Sequence, residues 1–446
     1  MKAGIKKRAR LLITSNRKAT KEKQDGLVLL VLVIVIFLGI STYYFSTISL
    51  VEVQVDKIGN TQAVLKRAKQ ALLAYARVNW QLSGKAGKIG KLPCPDYIIS
   101  GTEGEQDGSC GNAYANAIGY FPWRTLDIEV TKDSSGSCLL YAVSPAYKTS
   151  PTAALNPDSF GQFRVVDRAG VTLQGVSPED RPVAVIIAPG AVLPGQIREN
   201  NPPTICGSYY SDDVPDLVSN LVAAYLDNDG NTNNAAIDPG TDNVIENVVQ
   251  KYAGSDKGNN PLNDRLVTIT HKELWASMQS TIRSPAFRSK MKNLTEAVAL
   301  CFAGYGNDNG NHLPMPALLD LSGGDYRRDS DYDDSNIFTA GFSGRLPYSV
   351  EKANTKLDNS NLITNIFSYP YCDGLELTTT TANPDNIHFT DDLGGDKGAF
   401  LDLWRNWKDH FFYAISKAHN PSAGSVAACS GDCLSVNGVE YAGIVF

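Results

Sequence analysis

Histidine is scarce in this 446-residue chain: His271, His312, His388, His410 and His419 are all it has. None of them forms HExxH or another close ligand pair, so a zinc hydrolase of that type is excluded. Gly341-Phe342-Ser343-Gly344 misses the GxSxG spacing, because its second Gly comes one position early, which removes a nucleophile elbow. Gly84-Lys85-Ala86-Gly87-Lys88-Ile89-Gly90-Lys91 has no Ser or Thr after its Gly-Lys pairs and follows no strand-like run, so it reads as a basic loop rather than a phosphate cradle. No Cys-x-x-Cys pair occurs. No coherent catalytic set emerges, and the expectation is a protein that is not an enzyme.

Long apolar runs are also missing, with one exception. Residues 27–50 read LVLLVLVIVIFLGISTYYFSTISL and carry no charge. At about 1.5 Å per residue this run reaches roughly 36 Å, against a bilayer core of about 30 Å. Tyr43, Tyr44 and Phe45 lie near its far end, where aromatic rings favour an interface. The arm before it is basic: ahead of Asp25, Lys2, Lys6, Lys7, Arg8, Arg10, Arg17, Lys18, Lys21 and Lys23 stand against Glu22 alone. A basic flank stays inside. The expectation is therefore a single-pass inner-membrane protein with a cytoplasmic N-terminus and its bulk periplasmic or carried on an extracellular filament. The net charge of -6 then makes the body acidic, which argues against nucleic acid as a partner. Membrane lipid is the expected surrounding of the apolar run.

The eight cysteines, Cys94, Cys110, Cys138, Cys206, Cys301, Cys372, Cys429 and Cys433, all follow the apolar run. Their even number and export context point to disulfides rather than metal. Cys94 with Cys110 and Cys429 with Cys433 are the local candidates; sequence alone leaves the rest of the pairing open.

After the apolar run, Ile58, Val64, Leu65, Ala68, Ala71, Leu72, Tyr75 and Val78 recur at helical steps, with Lys57, Lys66, Arg67, Lys69 and Arg77 on the other faces. One long helix is expected to continue into an amphipathic half over 51–80. Beyond it the chain repeats a set of landmarks in one order. The first copy has Leu92-Pro93-Cys94-Pro95-Asp96, Gly119 to Trp123, Leu140 to Ser144, and Val183 to Gly190. The second has a helix through Ala297–Ala303, then Leu313-Pro314-Met315-Pro316, Gly344 to Tyr348, Phe412 to Ser416, and Tyr441 to Phe446. The predicted fold class is α+β: two related lobes over 81–208 and 286–446, each a helix packed on a small antiparallel sheet. A connecting segment, 209–285, holds a strand over Asp264–Thr270 and a helix from His271 capped by Thr270.

That segment also contains the one metal candidate. Asp227, Asp229 and Asn231, with Asp238 beyond, place hard oxygen donors at alternating loop positions, which suits calcium. The loop is not an EF-hand, since Gly230 comes too early and no Glu closes it. Solvated turn residues are the alternative. No other cofactor is expected.

Lys23-Gln24-Asp25-Gly26 before Leu27 resembles the cleavage site of type IV prepilins and type II secretion pseudopilins. The likeness extends through the long helix to Trp80 and over the first lobe, where Leu92–Asp96, Gly119–Trp123 and Tyr141–Ser144 are similar to a subgroup of large pilin-like proteins. The resemblance implies a leader over 1–26 cut between Gly26 and Leu27 by a prepilin peptidase, N-methylation of the new terminus, and a transmembrane helix over 27–50 running into a pilin-like head. The implied partners are other pilins or pseudopilins, that peptidase and an inner-membrane assembly platform. The family's usual Glu at the fifth mature position is Val31 here, which implies a minor subunit that primes or caps a type IV pilus or pseudopilus. A signal-anchored periplasmic adhesion or binding protein, or a hydrolase, is the alternative.

Overall fold

A computed structural model of the chain describes residues 25–81, 88–96, 102–150, 155–193, 224–227, 233–234, 246–249, 262–316, 341–346, 350–351, 362–363, 410–421 and 431–446, with 114 and 309 excepted and a few isolated positions between. Within the first helix, side chains are described for 29–40 and from Gly59 onward. Two compact units are separated near Gly59, one ending there and one running from Asn60 to Phe446.

Helix α1 runs from Asp25 to Val78. Its later turns bury Leu65, Ala68, Leu72, Leu73 and Ala76 and expose Lys66, Arg67 and Gln70. That is the apolar stripe which the three- and four-residue spacing dictates. Seven strands follow: β1 (Ala117–Tyr120), β2 (Leu140–Val143), β3 (Phe163–Val166), β4 (Thr172–Gln174), β5 (Pro182–Ala188), β6 (Glu246–Val249) and β7 (Arg265–Thr270). Strands β1-β2-β5-β7 form an antiparallel sheet in that order.

Alternation decides what each face of this sheet covers. Tyr141, Val143, Ala184, Ile186 and Ile269 share one core with the buried stripe of α1. Ile118, Leu140, Ala142, Val185 and Ile187 point the other way and pack with Phe163 and Val248 from a smaller sheet of order β4-β3-β6. With both faces covered, β1, β2 and β5 are apolar at nearly every position, which removes the polar half of the usual pattern.

Helix α2 (His271–Ile282) starts directly from β7. Its N-cap is Thr270, whose Oγ1 accepts the Glu273 N–H at 3.1 Å. Helix α3 (Pro285–Asp308) buries Leu294, Ala297, Val298, Cys301, Phe302 and Tyr305. Strands β8 (Ser343–Arg345), β9 (Val350–Glu351), β10 (Leu362–Ile363), β11 (Phe412–Ile415), β12 (Leu434–Val436), β13 (Val439–Tyr441) and β14 (Gly443–Val445) complete the fold. Here β14-β11-β8 form a three-stranded antiparallel sheet, and Tyr413 of β11 stacks on Phe302 of α3 at 4.6 Å.

The two halves are built alike in detail. Gly119 pairs with Tyr141 in the first, and Gly344 with Tyr413 in the second. The Ser144 N–H donates to Val183 O, and the Ser416 N–H to Ala442 O. A short 3-10 turn then follows each serine, Pro145–Tyr147 and Lys417–His419. Leu92 N–H donates to Tyr147 O at 2.7 Å, and Leu313 N–H to His419 O at 2.8 Å. Gly90 and Asn311, each two residues before those leucines, both take positive φ.

Several expectations are corrected. Among the described residues no helix is long and apolar enough to cross a membrane. The membrane-spanning helix of the predicted fold, and with it the single-pass inner-membrane placement, is overturned by that finding. The picture of two lobes, each a helix on its own antiparallel sheet, is corrected too. Strand β7, from the connecting segment, is the fourth strand of the first sheet, and β3 pairs with β6 in parallel. One core runs through both halves, from Leu65 to Ile415. Chain segments that bury their apolar faces against each other cannot act as separate lobes. The fold is mixed α/β with several small sheets.

Candidate functional site

Three places carry the chemistry singled out in the sequence. The first is the start of α1. Gly26 and Leu27 lie inside the helix, though their side chains, like all of 1–24, are outside the described residues. Val31 is 52% exposed, and its neighbours from Leu29 to Ile40 are exposed on every side of the helix. An apolar stretch exposed all round is a surface that favours a covering partner.

The second is a buried polar knot where β5 leaves and β7 enters the main sheet. Of the calcium candidates, Asp227 is described; Asp229, Asn231 and Asp238 lie outside the described residues. Asp227 is 1% exposed and already engaged. Its Oδ2 accepts the backbone N–H groups of Asn263 and Asp264, and its Oδ1 accepts the Gln196 amide at 3.2 Å. Asp264 reciprocates: its Oδ2 accepts the Asp227 N–H at 2.9 Å and the Asn234 amide at 2.8 Å. The structure thus turns Asp227 toward chain donors instead of an open ring of oxygens. Arg198 lies over the Tyr225 ring and donates to Gly190 O, Tyr225 O and Ser137 Oγ. Gly190 takes φ +69°, which L side chains rarely adopt, and a Cβ there would crowd the Asn263 side chain at 3.0 Å.

Burial raises the Asp227 carboxyl above the usual carboxylate range. It raises Asp264 well above that range, and the Asp227 charge raises it further. Asp264 is therefore the member that holds its proton longer as pH rises. Its Oδ1 is buried without a hydrogen-bond partner among the described residues. Asp133 is also raised by burial, against the backbone N–H groups of Ser135, Gly190 and Ser137 that favour its charge.

The third place holds cysteines. Disulfides join Cys94–Cys110, Cys138–Cys206 and Cys429–Cys433; Cys301 is disulfide-bonded, and Cys372 lies outside the described residues. At the last pair a histidine arrives that the sequence reading did not bring there. His419 Nδ1 lies 3.9 Å from Cys433 Sγ and 2.7 Å from Ser416 Oγ. The ligand atoms of His419, Cys429 and Cys433 all fall within 4.8 Å of one another. Burial lowers the His419 pKa, and the nearby His312 lowers it further. The available signal was Cys-x3-Cys with a His ten positions upstream, a spacing outside the common zinc patterns.

The other described histidines are held structurally. His271 Nε2 meets Pro157 O at 2.7 Å with its ring between Phe160 and Trp275, and burial lowers its pKa. His410 pairs with Asp158 at 3.6 Å and packs on Trp407. Comparison of the chain with protein families, characterised proteins and solved structures finds no match.

Proposed function

We propose that the chain is a pilin-like structural subunit, of the minor kind that primes or caps a type IV pilus or type II secretion pseudopilus, and acts by assembly rather than catalysis. The observation that carries this reading is the division of labour along α1. Its later turns pack beneath an antiparallel sheet through Leu65, Ala68, Leu72 and Ala76, while its stretch from Leu29 to Ile40 exposes apolar side chains all round. A helix apolar on every side calls for burial by other helices. The helices of neighbouring subunits are the proposed cover. Val31 supports a minor role, because a valine there offers no charge for a neighbour's terminal amine. The disulfides fit an oxidising compartment.

The test is the mass of the N-terminal peptide from cells with and without a prepilin peptidase. A chain that begins at Leu27, N-methylated, only when the peptidase is present supports the proposal. A chain that begins near Met1 in both samples overturns it.

A further inference from the structure

We propose that His419, Cys429 and Cys433 form a redox-gated site for a thiophilic divalent cation, zinc being the fitting ion. The site is closed while the two cysteines are a disulfide and opens when a dithiol reduces it.

Geometry supports the ligand set. In tetrahedral zinc sites with two thiolates and one imidazole, bonds of about 2.3 and 2.0 Å put the ligand atoms roughly 3.5–3.8 Å apart. His419 Nδ1 is already 3.9 Å from Cys433 Sγ. The two Cα atoms are 5.4 Å apart, so the sulfurs can separate by side-chain rotation once their bond is broken. The Ser416 hydroxyl, now 2.7 Å from Nδ1, is a neutral hydrogen-bond partner that a cation can displace. Water would fill the fourth position, as it does where the protein supplies three ligands.

The histidine is a departure from the fold's own template. Its counterpart in the first half is Tyr147, as the matched bonds from Leu92 and Leu313 show. Tyr147 is a core residue whose hydroxyl donates to Ser159 O. The shared architecture does not need an imidazole there, nor a disulfide beside it.

Accessibility makes this disulfide the gate. Cys94, Cys110, Cys138, Cys206 and Cys301 are at most 2% exposed, whereas Cys429 and Cys433 are partly exposed. Thiol exchange needs in-line attack on a sulfur, so among the described cysteines the exposed pair reacts first. The reaction balances: a dithiol gives two electrons and two protons to the disulfide, leaving two thiols and its own cyclic disulfide. The cation then replaces the two thiol protons as the thiolates bind.

The test uses the full chain, graded dithiothreitol and Co2+ as the spectroscopic probe. The expected result is alkylation of Cys429 and Cys433 before Cys94, Cys110, Cys138, Cys206 or Cys301, together with one Co2+ per chain showing thiolate charge-transfer and tetrahedral bands that Zn2+ abolishes. The oxidised chain shows no such bands. His419→Ala and His419→Gln should release the same two thiols yet bind Co2+ more than about 100-fold more weakly, beyond the roughly 10–100-fold cost of losing an outer-shell partner. His419→Gln keeps a hydrogen-bonding group beside Ser416 and so guards against a folding artefact. Absence of the thiolate bands after reduction overturns the site. Bands unchanged in both variants remove His419 from it, and earlier alkylation of any of those five cysteines overturns the gate.

Discussion

Asp264 ties one carboxyl to the stability of the whole sheet end. Its folded pKa is raised, first by burial and then by the charge of Asp227. The stability that its proton confers is fully present below the ordinary aspartate value and is lost as pH rises through the raised one. Asp264→Asn keeps an oxygen for the Asp227 and Asn234 donors and removes the charge. The denaturant midpoint of the wild type should therefore fall relative to that of the variant as pH rises above the ordinary aspartate value of about 3.9, with the gap widening in the variant's favour. A constant gap would mean that the carboxyl does not titrate in that range. Lys148 is the opposite case, a buried cation whose value lies in its donors. Fully buried, its ammonium donates to the carbonyls of Cys110, Asn112 and Ala115. Lys148→Met strands those acceptors at about 1–3 kcal/mol each, so a loss of at least about 3 kcal/mol is expected in chemical denaturation. Neither role was legible in the sequence. Asp227 stood out because it lies in an Asn- and Asp-rich run, but Asp264, 37 residues on, meets it only in the folded chain. Nothing in the residues around Lys148 marks it as a buried cation.

Among the elements, the disulfides differ most in what they constrain. Cys138–Cys206 closes a separation of 68 residues, Cys94–Cys110 one of 16 and Cys429–Cys433 one of 4. Loop-closure entropy then ranks their contributions at about 4, 3 and 2 kcal/mol. Paired Cys→Ala variants should lower the denaturant midpoint in that order, with the 138–206 pair most damaging. A larger effect from the 429–433 pair would show that its ring supports local structure beyond chain entropy. Strands were readable wherever β-branched runs met turn residues, as at β5 and β7, and the turn at Asn437-Gly438 takes the positive φ pair suited to a tight hairpin. The parallel pairing of β3 with β6 was not readable, because no local pattern encodes which distant strand lies alongside. The apolar run opening α1 was conspicuous, yet a run of apolar residues gives composition and length, not what covers it.

For the whole molecule the question is whether its two similar halves can stand apart. The repeated landmarks suggested so, but repetition of a motif says nothing about where each copy buries its apolar face. Here the faces meet in one core. Trp80, at the end of α1, packs edge-on to Phe287 of α3 at 5.9 Å; Phe287 lies 5.4 Å from Trp407; and Trp407 lies 6.3 Å from Trp275 of α2. Lys69 of α1 pairs with Glu273 of α2 at 2.7 Å, and Leu155 N–H donates to Asn406 Oδ1 across 251 residues of sequence. Aromatic side chains bury about 150–250 Å² each, so removing Phe287 and Trp407 alone uncovers a large apolar patch on the first half. A fragment of residues 60–446 should therefore unfold in one cooperative transition with its disulfides intact, since it contains the entire core. A fragment of residues 60–285 should show no sharp transition and should be cut rapidly within its sheet by a nonspecific protease. If the shorter fragment instead melted cooperatively at the same midpoint, the shared aromatic cluster would be a docking contact between independent folds rather than the centre of one.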